Sequence, residues 1–61
     1  SWDYGEAAMK SPSQYVGWII INTQNKKDKI GIAMKDNLDF KERFRMVLNE
    51  GGIEVYKRVD K

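Results

Sequence analysis

The chain has 61 residues, of which 41% are hydrophobic and 33% charged, and its formal net charge is +2. That is material for one small globular domain, which buries only about 60% of the surface its unfolded chain exposes. The chain has no cysteine and no histidine. This excludes disulfides and most zinc, haem and iron–sulfur sites, which depend on those ligands.

Charge is distributed unevenly. Residues 1–25 carry a net −1 and residues 26–61 a net +3, a weaker bias than nucleic-acid-binding domains usually show. No apolar run approaches the ~20 residues a membrane helix needs. The opening SWDYGE is acidic and lacks the apolar segment of a secretory signal. The absence of cysteine suits a reducing compartment. A cytoplasmic protein with no membrane partner is the expectation.

The first segment, SWDYGEAAMK, favours a short helix with Ser1 or Asp3 as its cap. Its anchors would be Trp2, Tyr4, Ala8 and Met9. Ser11 to Gln14 then reads as a connector, because Pro12 lacks an N–H and turns Ser11 away from helix. Residues 1–14 are thus an N-terminal segment and connector, and 15–61 the core of a single domain.

The densest apolar stretch is YVGWIIIN, and the first strand is placed at Tyr15 to Thr23. Alternate residues of a strand face opposite ways. Val16, Trp18 and Ile20 fall on one face and Tyr15, Ile19 and Ile21 on the other, so both faces are apolar. A polar stretch rich in turn-forming Asn and Asp follows. A second strand is placed at Lys29 to Lys35, with Ile30, Ile32 and Met34 alternating with Gly31 and Ala33. The pair reads as a hairpin, with Gly31 and Ala33 leaving shallow ground for a large side chain.

A helix is expected over 39–50. Phe40, Phe44, Val47 and Leu48 make one apolar stripe. Asp39 and Glu42 have capping-box spacing, with Asn37 as the alternative cap. Gly51 and Gly52 suit a left-handed C-terminal cap. A last strand covers Ile53 to Val59. The expected fold is α+β: a three-stranded, mainly antiparallel sheet in the order β-β-α-β, one helix across one face, and a short N-terminal helical turn. Strand one is expected at the centre. The expected core is Val16, Trp18, Ile20, Ile30, Ile32, Phe40, Phe44, Val47, Leu48 and Val55.

Catalysis is not expected. The commonest general base and the thiol nucleophile are missing. Asp36 and Asp39 are close in sequence, but carboxylates just before a helix serve as caps and complement its dipole. No cofactor, metal or small-molecule substrate is expected, since so short a chain seldom encloses a ligand pocket.

The uncovered sheet face decides the functional reading. It is either sealed by the Trp2–Met9 segment or left for a partner, because large exposed apolar patches tend to be interfaces. The preferred reading is a non-catalytic regulatory or inhibitory module. It would bind a protein partner, or form a homodimer, through Tyr15, Ile19, Ile21, Tyr56 and Arg58. The alternative is a nucleic-acid binder that uses Lys26, Lys27 and Lys29 at the hairpin tip, with Arg45 and Arg58 on phosphates.

Overall fold

The computed structural model describes residues 3–60, with side chains from residue 6 onward. Helix α1 spans Asp3–Lys10, and a 3-10 turn at Pro12–Gln14 leads to strand β1, Trp18–Asn22. Helices α2, Lys29–Met34, and α3, Leu38–Arg43, follow. Strands β2, Phe44–Glu50, and β3, Ile53–Arg58, complete the chain. The strands form one sheet in the order β1-β3-β2, with both pairings antiparallel. The expected class holds: an α+β domain with a three-stranded antiparallel sheet and helices on one face.

Two elements differ from the sequence expectation. Residues 29–34 are helix rather than strand. The polar stretch before them is wound into side-chain-capped turns. The Asn22 carboxamide accepts from Gln24 N–H at 3.0 Å and the Asn25 carboxamide from Lys27 N–H at 2.9 Å. The Asp28 carboxylate then accepts from the N–H groups of Ile30 and Gly31, both at 3.1 Å. This is helix N-capping, and it directs the chain into α2. At helical spacing Ile30 and Met34 fall together, and Met34 is the most buried hydrophobic side chain of the core, 2% exposed.

The second difference concerns residues 44–50, expected as the end of a helix and found as β2. The helix is only Leu38–Arg43, and its cap is Asn37, whose side chain accepts from Phe40 N–H at 2.8 Å. Gly51 and Gly52 have φ of 58° and 84°. Positive φ at both residues of a two-residue loop defines a tight hairpin turn of type I′. The glycines therefore join β2 to β3, with Glu50 opposite Ile53, and do not cap a helix.

The centre of the sheet is β3, not β1. The connection from β1 to β2 packs α2 against β1 and α3 against β2, with Phe40 reaching Tyr56 of β3. Ile19, Ile21, Met34, Phe40 and Phe44 are buried there, with Met9, Val16, Ala33 and Tyr56 packed against them. Phe40 stacks on Phe44 with ring centroids 5.7 Å apart and meets Tyr56 edge-on at 4.7 Å. Of the expected core, Phe40 and Phe44 are buried, while Val16 and Val55 are half-buried. Trp18, Ile20, Ile30, Ile32, Val47 and Leu48 are exposed.

Two polar links hold the N-terminal segment to α3. The Asn37 side-chain amide donates to the carbonyls of Met9 and Lys10 at 2.9 and 3.0 Å. Asp39 accepts from Ser13 N–H at 2.8 Å and from the Ser13 hydroxyl at 2.7 Å. Helix α1 therefore joins the helical layer. Trp2 and the side chain of Tyr4, the other expected anchors of a seal, lie outside the described residues.

Candidate docking face and edge

Strand register sorts the side chains into rows that cross all three strands. One set is Gly17–Arg58, Ile19–Tyr56–Met46 and Ile21–Glu54–Asn49, with Phe44 opposite Arg58. It contains the buried Ile19, Ile21 and Phe44, so this is the face under the helices. The other set is Trp18–Lys57–Arg45, Ile20–Val55–Leu48 and Asn22–Ile53–Glu50. Trp18 is 56%, Ile20 59% and Leu48 47% exposed. The uncovered face is thus an apolar strip with a cationic end. There Lys57 Nζ stands 5.5 Å from the centroid of the Trp18 ring, within cation–π range.

The residues expected to bind protein are distributed differently. Ile19 and Ile21 are core side chains, and it is their neighbours Trp18 and Ile20 that reach solvent. A shift of one residue exchanges the two faces of a strand, and here burial selected the Ile19 face. Tyr56 is half-buried; its hydroxyl donates to Glu54 Oε1 at 2.9 Å. Burial pushes the Tyr56 phenol up to about 12, with the hydrogen bond to Glu54 and the carboxylate charge adding to the shift. Arg58 acts as a strut. Its Nη1 donates to the carbonyls of Ser13 and Val16 at 3.0 and 3.4 Å, and its Nε pairs with Asp60 at 3.0 Å. Tyr15 is exposed just after the 3-10 turn.

The basic residues do not converge. Lys26, Lys27 and Lys29 are exposed and lie beyond the Asn22 end of β1. Arg45 sits in the row of Trp18, roughly 13 Å along the strand direction from the Asn22 row. Asp39, expected as a cap, accepts from the Ser13 N–H and hydroxyl instead. Among the described residues no group of three or more His, Cys, Asp or Glu is placed to hold a metal ion. Likewise, no described helix is long and apolar enough to cross a membrane.

Sequence reasoning missed the edges of the sheet. At the β2 edge the register shifts between Met46 and Leu48, so Val47 is a bulge. That edge also carries Arg45 and Glu50. Bulges and charges are devices that discourage strand addition. The β1 edge has neither. Beside it runs a groove of about 450 Å³ lined by apolar side chains of β1, α1 and α2, among them Trp18, Ile19, Ile20, Met9, Ile30 and Met34. It arises because, among the described residues, no strand pairs with β1 on that side. Its lining includes Trp18 and Ile20 from one face of β1 and Ile19 from the other, so it follows the strand edge. No protein-family model matches this chain, and no curated protein or solved structure shows significant similarity to it.

Proposed function

We propose that this chain is a non-catalytic binding module, a regulatory or inhibitory protein that docks its uncovered sheet face on another protein. The observation that carries the reading is the joined exposure of Trp18, Ile20 and Leu48 around Val55, with Arg45 and Lys57 at one end. Tryptophan and arginine are enriched among residues that dominate interface energies, and a contiguous apolar patch on a soluble surface marks an interaction site. The side-chain chemistry supports the non-catalytic part, since the chain offers neither imidazole nor thiol.

Leu48 is the best probe. It is exposed and lies two strands away from the β1 edge. In affinity capture from extracts of the source, Leu48→Lys should retain bound partners about tenfold less well than the unmodified chain, with unchanged circular dichroism. Equal capture by the two proteins would defeat the reading.

A second reading rests on the Trp18–Lys57–Arg45 row. An aromatic ring beside cations on an open sheet is the arrangement on which single-stranded nucleic acids stack. Lys26 and Lys27 would extend it only for a strand long enough to run the length of β1. Such binding weakens steeply with salt. Titration of mixed-sequence single-stranded DNA at low and high salt decides it: no salt-dependent binding rules it out.

A further inference from the structure

We infer that the free edge of β1 pairs with β1 of a second copy of this chain, about a two-fold axis at Ile19. Arg58 N–H donates to Gly17 C=O and Thr23 N–H to Gly52 C=O, both at 2.8 Å. The odd-numbered residues of β1 therefore bond inward to β3, and Trp18, Ile20 and Asn22 present their backbone groups outward. Asn22 is already engaged: its N–H donates to Asp28 Oδ2 at 2.7 Å and its C=O accepts from Asn25 N–H at 3.2 Å. Among the described residues no hydrogen bond reaches the outward groups of Trp18 or Ile20. Two N–H and two C=O groups thus stand in line on an edge strand.

An extended strand is the protein partner that pairs with such a row group for group, and the symmetry of the free groups favours β1 itself. A two-fold axis at Ile19 sets Trp18 opposite Ile20 of the second copy, and Ile20 opposite its Trp18. Every free group then meets a free group, giving four backbone hydrogen bonds. An axis at Ile20 would instead set Trp18 against the engaged Asn22. The same register pairs an aromatic with a β-branched side chain twice, a favourable cross-strand combination.

Charge points the same way. Among the described residues no charged side chain lines the groove, which suits a neutral strand. Of the strands described, β1 alone carries no charge; β2 holds Arg45 and Glu50, and β3 holds Glu54, Lys57 and Arg58. Pairing would cover the apolar groove and join two sheets of three strands into one of six. This contact uses the edge, and it stands or falls independently of the docking proposed for the open face.

Sedimentation equilibrium at concentrations about a hundredfold apart tests it, because mass action governs self-association. The unmodified chain should shift from monomer to dimer as concentration rises. Ile20→Pro removes one outward N–H and no inward bond, a substitution that edge strands accept. It should weaken the dimer about tenfold or more. Ile20→Lys, which keeps the backbone intact, should do the same if the proline variant fails to fold. Leu48→Lys should leave the dimer unchanged.

Cysteine cross-linking checks the register. Across the axis the two copies of residue 19 have Cα atoms about 4.5 Å apart, within disulfide reach, whereas the two copies of residue 20 are diagonal at about 7–8 Å. Ile19→Cys should cross-link on oxidation and Ile20→Cys should not. A monomer at both concentrations overturns the inference, as does association that survives both Ile20 substitutions, is lost in Leu48→Lys, or cross-links through residue 20 rather than 19. If Leu48→Lys leaves partner capture unaltered while the dimer forms as described, the open-face reading fails and the edge pairing stands.

Discussion

Asp28 shows how much of this fold can depend on one polar side chain. Its carboxylate ends β1 by accepting from Asn22 and begins α2 by accepting from Ile30 and Gly31. The Asn22 N–H, then that of Gly31, with a smaller contribution from Ile30, hold the carboxyl below its usual 3.8 against an opposing effect of burial. A folded-state pKa lower than the unfolded one means that these bonds stabilise the fold above the unfolded value, and that the stabilisation is lost as pH falls through the folded value. Urea midpoints should therefore decline below about pH 4. Asp28→Ala should have a lower midpoint at neutral pH and a flatter acid dependence, measured by circular dichroism. Sequence reading recognised Asn and Asp here as turn formers. It could not see that one aspartate serves a strand and a helix together, because that needs Asn22 and Ile30 in the same place.

At the scale of elements, residues 29–35 and 44–50 each satisfied two periodicities. Ile30, Ile32 and Met34 alternate like a strand, yet Ile30 and Met34 also fall one helical turn apart. Phe40, Phe44, Val47 and Leu48 form a helical stripe, yet Phe44 and Met46 flank the charged Arg45 in strand alternation, and the bulge at Val47 then turns Leu48 to the other face. Short apolar segments are ambiguous in this way, and capping and turn geometry decided both. Asp28 made the first a helix. For the second, a Gly-Gly pair between two apolar-rich runs is a hairpin signal, and reading it as a helix cap misplaced β2. Gly31 shows the consequence for packing. A Cβ there would stand 2.9 Å from Ile21 Cγ2, so this glycine lets α2 approach β1 closely and does not receive a large side chain on an open face. The hairpin turn gives a direct test. Both loop residues have positive φ, which costs an ordinary L-residue about 1–2 kcal/mol. Gly51→Val should lower stability by about that amount, while Gly51→Asn, which tolerates the left-handed region, should cost less. Thermal melts of the two variants would show the difference.

For the whole molecule, the order β1-β3-β2 matters more than any single element. Placing β3 in the middle makes β1 an edge, which its apolar sequence does not suggest, and sets α2 and α3 over Tyr56 and Ile19. Phe44 joins α3 to β2 inside that core and stacks on Phe40. Phe44→Ala should cost about 3–5 kcal/mol. That is comparable to all the stability a domain of this size usually has, so the variant should be largely unfolded at room temperature by circular dichroism.

The fold class, the aromatic centre at Phe40 and Phe44, and the presence of an apolar sheet face beyond what one helical layer covers were legible in the residues before any tertiary contact was known. These follow from composition and from the density of apolar residues in β1, whatever their partners. Which face that is, which strand lies at the edge, and where the exposed backbone groups stand came from packing. A strand apolar on both sides carries no label for inside or outside. Only the helical layer that buries Ile19 and Ile21 leaves Trp18 and Ile20 at the surface.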